Sequence, residues 1–395
     1  MTRSVDWIVV GAGITGVALA YELVRQGFSV LRLEQHATLQ GSSRYGYGGI
    51  AYWAGTTDLT RQLCAEARAI HPILSDELGE STQFREIDLV LTIALETDPL
   101  AIAQSYAAVA VPPRLVSAEE ACDLEPLLNP DAIAGALTVK HGHLHLGETI
   151  NAYTQAFTRL GGQVHIGQVT GLLQQAGKVS GVTCENESFL GANVVVCAGA
   201  MSRELLKSAG ISIQQYFTHA ELIETPPVDI KLRSLIMPAN TQRFKLEATS
   251  STVELDPLWD EPGHELIPPI LDAGAIQLMD GTLRIGQVSR SLTDPNAAID
   301  AAASEQAMRT QIGRILPALK DLPGTWHHCL IAFSRDSLPL VGTVAGVENV
   351  HLFSGFSNPL AIVPPVARRF AQAATDAIAT TKDPLLVQLS PNRFT

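Results

Sequence analysis

A chain of 395 residues, 46% hydrophobic and 17% charged, has material for about two domain cores and is not intrinsically disordered. Its formal charge of −13, from 27 basic and 40 acidic side chains, argues against nucleic acid or an anionic membrane surface, both of which call for a basic face. The 5 cysteines form no C-x-x-C pair, which argues against zinc and a disulfide framework. No cationic, apolar leader stands before Val5, and no apolar run reaches the roughly 18 residues of a membrane span, so a cytoplasmic protein handling a small molecule is expected.

The first element is a short β-branched run, Val5 to Val10, ended by Gly11. From Ile14 the positions Val17, Ala18, Ala20, Leu23 and Val24 recur at helical spacing as far as Gln26, and "FSVLRLE" then reads as a second buried strand. The turn between strand and helix, "GAGITG", carries Gly11, Gly13 and Gly16 in G-x-G-x-x-G spacing, and Glu34, followed by Gln35, closes the second strand. In such a unit the first glycine permits the tight turn, the second admits a pyrophosphate to the helix N-terminus beside Ile14, and the third lets helix and strand pack closely. The acid takes the ribose hydroxyls. A dinucleotide site is expected.

A second glycine-rich stretch, "GSSRYGYGG", follows where a nicotinamide-binding domain runs into its next helix. Its Ser42, Ser43, Arg44, Tyr47, Gly48 and Gly49 suit a cofactor with more phosphate and ribityl chain to cover, which favours FAD over NAD. Further on, "HGHLHLGE" sets His141, His143 and His145 at alternating positions; a strand would align them, but no carboxylate or cysteine cluster accompanies them. A solvated edge, with no metal, is expected there.

With these loops in place the chain resembles the D-amino-acid oxidase family of FAD-dependent oxidoreductases, which includes sarcosine oxidase and glycine oxidase. Three later segments carry the resemblance: residues 148–182, "ANVVVCAGAMSRELL", and residues 333–370 beginning "FSRDSLPLVG". The resemblance implies an α/β fold with a Rossmann-like, glutathione-reductase-type FAD domain and a second α+β substrate domain on a mostly antiparallel sheet. The FAD domain would be discontinuous, from 1–85, 140–215 and 325–395, with 86–139 and 216–324 forming the substrate domain. Short strand-like runs bounded by Pro, Gly and Asp, "LIETPPVD", "VELDPLWD" and "AIQLMDGTLRIGQVS", agree with that sheet. By the same resemblance Val169, Ala198, Gly199, Asp336, Gly355, Phe356, Ser357, Asn358, Leu360 and Ala361 join the cofactor site. A helix starting near Pro359 would aim its N–H groups at the negative charge of reduced flavin.

The substrate side departs from the family. Ile331 stands five residues before Asp336, where glycine oxidase relatives carry a carboxylate-binding arginine. Tyr52 and Ile362 stand where sarcosine oxidase has an arginine and a lysine, and its pocket tyrosine and histidine fall near Gln277 and Val288. Because that lysine is linked to oxygen activation, slow reaction with O2 is expected. Arg243, Arg284 and Arg290 are substitute anchors, although ion pairing is the commoner fate of a strand arginine. Tyr47, Tyr52 and Trp53 offer aromatic walls. Cys329, seven residues before Asp336, stands where the sarcosine oxidase branch attaches flavin covalently, but a packed buried thiol is the favoured reading. Tyr52, Arg243, Gln277 and Cys329 are thus the candidate catalytic residues.

The expected activity is oxidation of the CH–NH or CH–NH2 bond of an amine or amino acid, with O2 or a redox partner taking the electrons. Two alternatives stand: oxidation of a 2-hydroxy acid, and flavin binding without turnover.

Overall fold

The computed structural model describes residues 4–185, 187–375 and 383–394. Two sheets organise them. The first runs in the order Leu340–Thr343, Val350–Ser354, Glu187–Val196, Val5–Val10, Val30–Glu34, Gln163–Ile166. These six strands are parallel except Leu340–Thr343, and an antiparallel pair, Val169–Gln175 and Lys178–Cys184, extends from Glu187–Val196. Ile8, Val9, Val194, Val195 and Val196 are fully buried, since a parallel sheet covered on both faces needs unbroken apolar runs. The helix Ile14–Arg25 lies on one face, its small Ala18 and Ala20 permitting close packing, and the helices Leu146–Arg159 and Pro359–Thr375 pack beside it.

The second sheet runs Thr325–Ser334, Gln215–Glu224, Leu283–Leu292, Glu265–Gln277, Leu235–Pro238, Arg85–Ala94, Ile133–His143, Gly49–Ile50. It is antiparallel apart from the pairing of Leu235–Pro238 with Arg85–Ala94. Met308 and Ile312 of the helix Ala301–Ile315 cover part of one face. Among the described residues no helix is long and apolar enough to cross a membrane.

Two placements differ from the sequence expectation. The strand Thr325–Ser334, grouped above with the FAD segments, is in register with Gln215–Glu224 along its whole length and so belongs to the second sheet. Within "VELDPLWD", Asp256–Asp260 is a turn of 3-10 helix: Pro257 supports its start, and Trp259 is buried against Tyr216, Phe217 and Phe333.

Candidate active site

The segment 41–49, a short helix Gly41–Tyr45 followed by a turn into the strand Gly49–Ile50, crosses from the first sheet to the second, and a cavity of about 2220 Å³ opens along it. That exceeds the roughly 300–1,000 Å³ of an ordinary small-molecule pocket, which leaves space for a large cofactor and a substrate together. At its nucleotide end Gly11 has φ +109, and a Cβ there would lie 2.6 Å from the Cys197 carbonyl oxygen. A Cβ on Gly16 would overlap the Gly11 carbonyl oxygen. Gly13 differs: its Cβ would meet only Ser43 Oγ, at 3.1 Å, with the open cavity beyond. The N-cap of the helix Ile14–Arg25 is Gly13, which has no side chain to cap it, and the first turn holds no acid, so of its first donors only Ile14 N–H meets a side chain, Ser43 Oγ. Ser43 Oγ accepts from Ile14 N–H at 3.1 Å, while Glu34 accepts from Ala12 N–H at 2.7 Å and from His36 N–H at 3.1 Å. Gln35, Ser42, Val169, Ala198 and Gly199 complete this end.

Tyr47, Gly48 and Gly49 form one wall of the other end, and Gly355, Phe356, Ser357, Asn358 and Leu360 lead into the helix Pro359–Thr375 opposite. Tyr47 Oη and Ser357 Oγ are shielded from water and have no hydrogen-bond partner among the described residues. The helix N-terminus at Ile14, with no acid in its first turn, and the open side of Gly13 fit a dinucleotide in the cavity. Three expected cofactor residues do not line the cavity. Gly16 packs the turn, and Ala361 is buried in the core. Asp336 pairs with Arg393 at 2.7 Å and accepts from Ser334 Oγ and Leu338 N–H.

Arg44 lines the cavity, but its guanidinium is bidentate on Glu224, at 2.6 and 2.8 Å. Arg284 also pairs with Glu224, at 3.0 Å, and donates to the Gly46 and Arg44 carbonyls, fastening the crossing segment to the second sheet. Arg290 pairs with buried Glu221 at 2.7 Å. Neither arginine is available as a substrate anchor.

Of the candidate catalytic residues the structure brings Arg243 and Cys329 into the cavity wall and leaves Tyr52 and Gln277 out of it. Tyr52 donates to Glu86 Oε1 at 2.5 Å beneath Arg68. The Gln277 side chain is consumed by Leu232 N–H and by the Ile230 and Gly281 carbonyls. Burial pushes the Cys329 thiol up to about 12, against the opposing pull of Arg284 and Arg243. His327, the neighbour on its face, is held below the ordinary imidazole value by burial and stacks on Tyr45. A neutral imidazole does not favour a thiolate. Acid precipitation should therefore leave the yellow colour in the supernatant; colour retained in the pellet, and lost in Cys329→Ser, would reverse that expectation.

The histidine alternation does different work from that expected. His141 and His143 are buried, not solvated, because Ile133–His143 lies between two other strands. His141 Nδ1 accepts from Trp53 Nε1–H at 3.0 Å, and its Nε2 lies under Gly49, where a Cβ would come within 2.6 Å. His143 lies beside Gly48 and accepts from Arg85 Nε–H at 3.2 Å. His145 caps the helix Leu146–Arg159. No group of three or more metal-ligating side chains occurs among the described residues. Alternation in the sequence puts the first two on one face; the glycines they support are not legible from it.

The family model for FAD dependent oxidoreductases (DAO) matches residues 6–373. The chain belongs to that family. It is 25% identical over 382 residues to glycine oxidase of Pseudomonas aeruginosa, covering 92% of this chain and 93% of that protein. It is 29% identical over 225 residues to monomeric sarcosine oxidase of Streptomyces avermitilis, covering 53% and 56% respectively. Among solved structures, glycine oxidase from Geobacillus kaustophilus superposes with a TM-score of 0.79 at 17% identity, over 99% of both chains. L-proline dehydrogenase from P. horikoshii superposes with a TM-score of 0.78 at 19% identity, over 100% of this chain and 98% of that one. The chain is thus an FAD-dependent oxidoreductase with the fold of these flavoenzymes.

Proposed function

We propose that this enzyme oxidises the CH–NH or CH–NH2 bond of a small amine or amino acid. Bound FAD supplies the two-electron acceptor for the hydride. The C–H bond on the carbon bearing nitrogen breaks with its electron pair, nitrogen releases a proton, and water converts the imine to a carbonyl compound and free amine. In this reading the N-terminus of Ile14–Arg25 would hold the pyrophosphate, and Glu34 would take the ribose hydroxyls. The first N–H groups of Pro359–Thr375 would favour the negative charge that reduction brings, since the helix dipole favours an anion there.

One observation carries the choice of nitrogen over oxygen: Asp272, Glu221, His328 and His141, which line the cavity, already have hydrogen-bond partners among the described residues. Asp272 accepts from Gln242 and Arg243 N–H, and Glu221 is held by Arg290 and Trp326. His328 meets His219 at 2.7 Å, His141 Nδ1 is taken by Trp53, and burial raises the Tyr47 phenol. An alcohol needs a base for its hydroxyl proton, whereas a neutral amine drives hydride loss with its own lone pair. Anaerobic mixing with amines, amino acids and 2-hydroxy acids tests this: amines should bleach the oxidised flavin band and hydroxy acids should not. Bleaching by hydroxy acids alone would overturn it.

Two expectations follow. Burial brings His141 down to about 3, so it stays neutral above the acid range, and burial lowers His328 as well. Bleaching should accelerate with pH only as the substrate amine loses its proton, with no inflection near the usual imidazole value of about 6.5; an inflection there that disappears in His141→Asn would contradict this. Ile362, buried in the cavity wall, offers no cation to assist oxygen reduction. Turnover with an artificial dye should exceed turnover with air, and the reverse order would count against it.

A further inference from the structure

Four arginines line the cavity, Arg32, Arg44, Arg243 and Arg284. Arg44 and Arg284 are taken by Glu224, and Arg32 donates to Thr154 Oγ1 at 3.1 Å and lies over the Phe157 ring. Arg243 differs. Its backbone is anchored by Asp272, which accepts its N–H at 3.0 Å, and its guanidinium lies over the Phe244 ring, yet no hydrogen bond from that guanidinium to another described residue is formed, Nε included. Nε lies 3.3 Å from Glu247 Oε1 without hydrogen-bond geometry, and that fully buried carboxyl is pushed towards its neutral form by burial. A largely buried fork with an unfilled set of donors suits a planar carboxylate. Cys329 lines the same cavity.

An apolar compartment adjoins it. Leu89 and Leu91 of Arg85–Ala94 pair in register with Leu235 and Met237, and all four side chains line the cavity beside Trp53 and Tyr106. The two rings are 6.2 Å apart, and their polar ends are spent on the protein: Trp53 Nε1–H on His141, and Tyr106 Oη–H on the Ala239 carbonyl at 2.6 Å. They therefore offer hydrocarbon to a ligand. Ala239 continues the strand Leu235–Pro238 and lies four residues before Arg243, so compartment and guanidinium are successive parts of one wall.

Resting on the amine-oxidising reading above, we propose that the substrate is an α-amino carboxylate, primary or N-alkylated, with a branched or aromatic side chain. Arg243 holds its carboxylate, and the Trp53–Tyr106 compartment takes its side chain. Glycine and sarcosine would leave that compartment unfilled.

The test uses the FAD-loaded enzyme under anaerobic conditions with glycine, sarcosine, leucine, phenylalanine, N-methylphenylalanine and phenethylamine. The apolar amino acids should reduce the flavin roughly a hundredfold or more efficiently than glycine and sarcosine, by the size of pocket discrimination per substituent. Phenethylamine, lacking the carboxylate, should be as poor. Arg243→Met should remove the preference for phenylalanine over phenethylamine while retaining flavin and melting temperature, and Arg243→Lys should restore part of it. Glycine matching phenylalanine, or Arg243→Met leaving the preference intact, would overturn the proposal. Perturbation of the oxidised flavin spectrum by 3-phenylpropionate and by acetate separates the two readings, since it needs no turnover. Tighter binding of 3-phenylpropionate that weakens in Arg243→Met supports the site even if no amine is oxidised; equal binding of the two acids overturns it.

Discussion

Replacing Gly13 with leucine should give a folded but colourless protein. A Cβ at this position would meet only Ser43 within the chain, its Oγ at 3.1 Å, with the open cavity beyond for the further atoms, in the space that a pyrophosphate would fill. FAD affinity should fall by at least about a hundredfold, because donors at the N-terminus of Ile14–Arg25 would be lost to the phosphate together with its close approach. Gly16→Ala is the contrasting case. Its Cβ overlaps the Gly11 carbonyl oxygen, so the first strand and helix must separate, and melting temperature should drop along with flavin content. Flavin content after gel filtration and thermal melting of the apoproteins distinguish them. Equal destabilisation by both changes would mean that Gly13 serves the fold rather than the cofactor.

The second large effect is expected at Arg284→Met. Burial alone would raise the Glu224 carboxyl, but Arg44 and Arg284 outweigh it and hold it below the ordinary carboxylate value. Burial draws Arg284 down, so the intact pair adds little net stability, and the cost of the change comes from the charge it strands. Losing one partner of a buried pair costs about 3 kcal/mol or more, and the Gly46 and Arg44 carbonyls lose their donor as well. The crossing segment should loosen, weakening FAD binding alongside folding. Denaturant unfolding with and without FAD measures both, and a change under about 0.5 kcal/mol, the range of ordinary surface substitutions, would contradict the stapling role. Because the folded-state value of Glu224 is lowered, its contribution is complete above the unfolded carboxylate value and declines as pH falls through the folded one.

What the sequence makes legible is what is local. Gly11, Gly13, Gly16 and Glu34 declare themselves because strand, turn, helix and acid are contiguous, and each glycine has its own steric reason. The substrate half is assembled from strands far apart in the chain. Tyr52 and Trp53 are neighbours, yet Trp53 lines the cavity and Tyr52 turns to Glu86, so an alignment offset of one residue selects the wrong ring. Arg243 cannot be told from Arg284 by type or spacing: what distinguishes them is Glu224, 60 residues from Arg284 and 180 from Arg44, which occupies one and not the other. Thr325–Ser334 illustrates the same limit, since its sheet is decided by pairing with Gln215–Glu224 and not by the flavin-side motif that follows it.

Anaerobic stopped-flow reduction of the FAD-loaded enzyme, with an amino acid carrying deuterium at the carbon that bears nitrogen, tests the central claim most directly. The predicted result is bleaching of one flavin per substrate consumed, slowed several-fold by deuterium, with the corresponding oxo acid and ammonia or alkylamine released. Bleaching by 2-hydroxy acids while no amine reduces the flavin would contradict it.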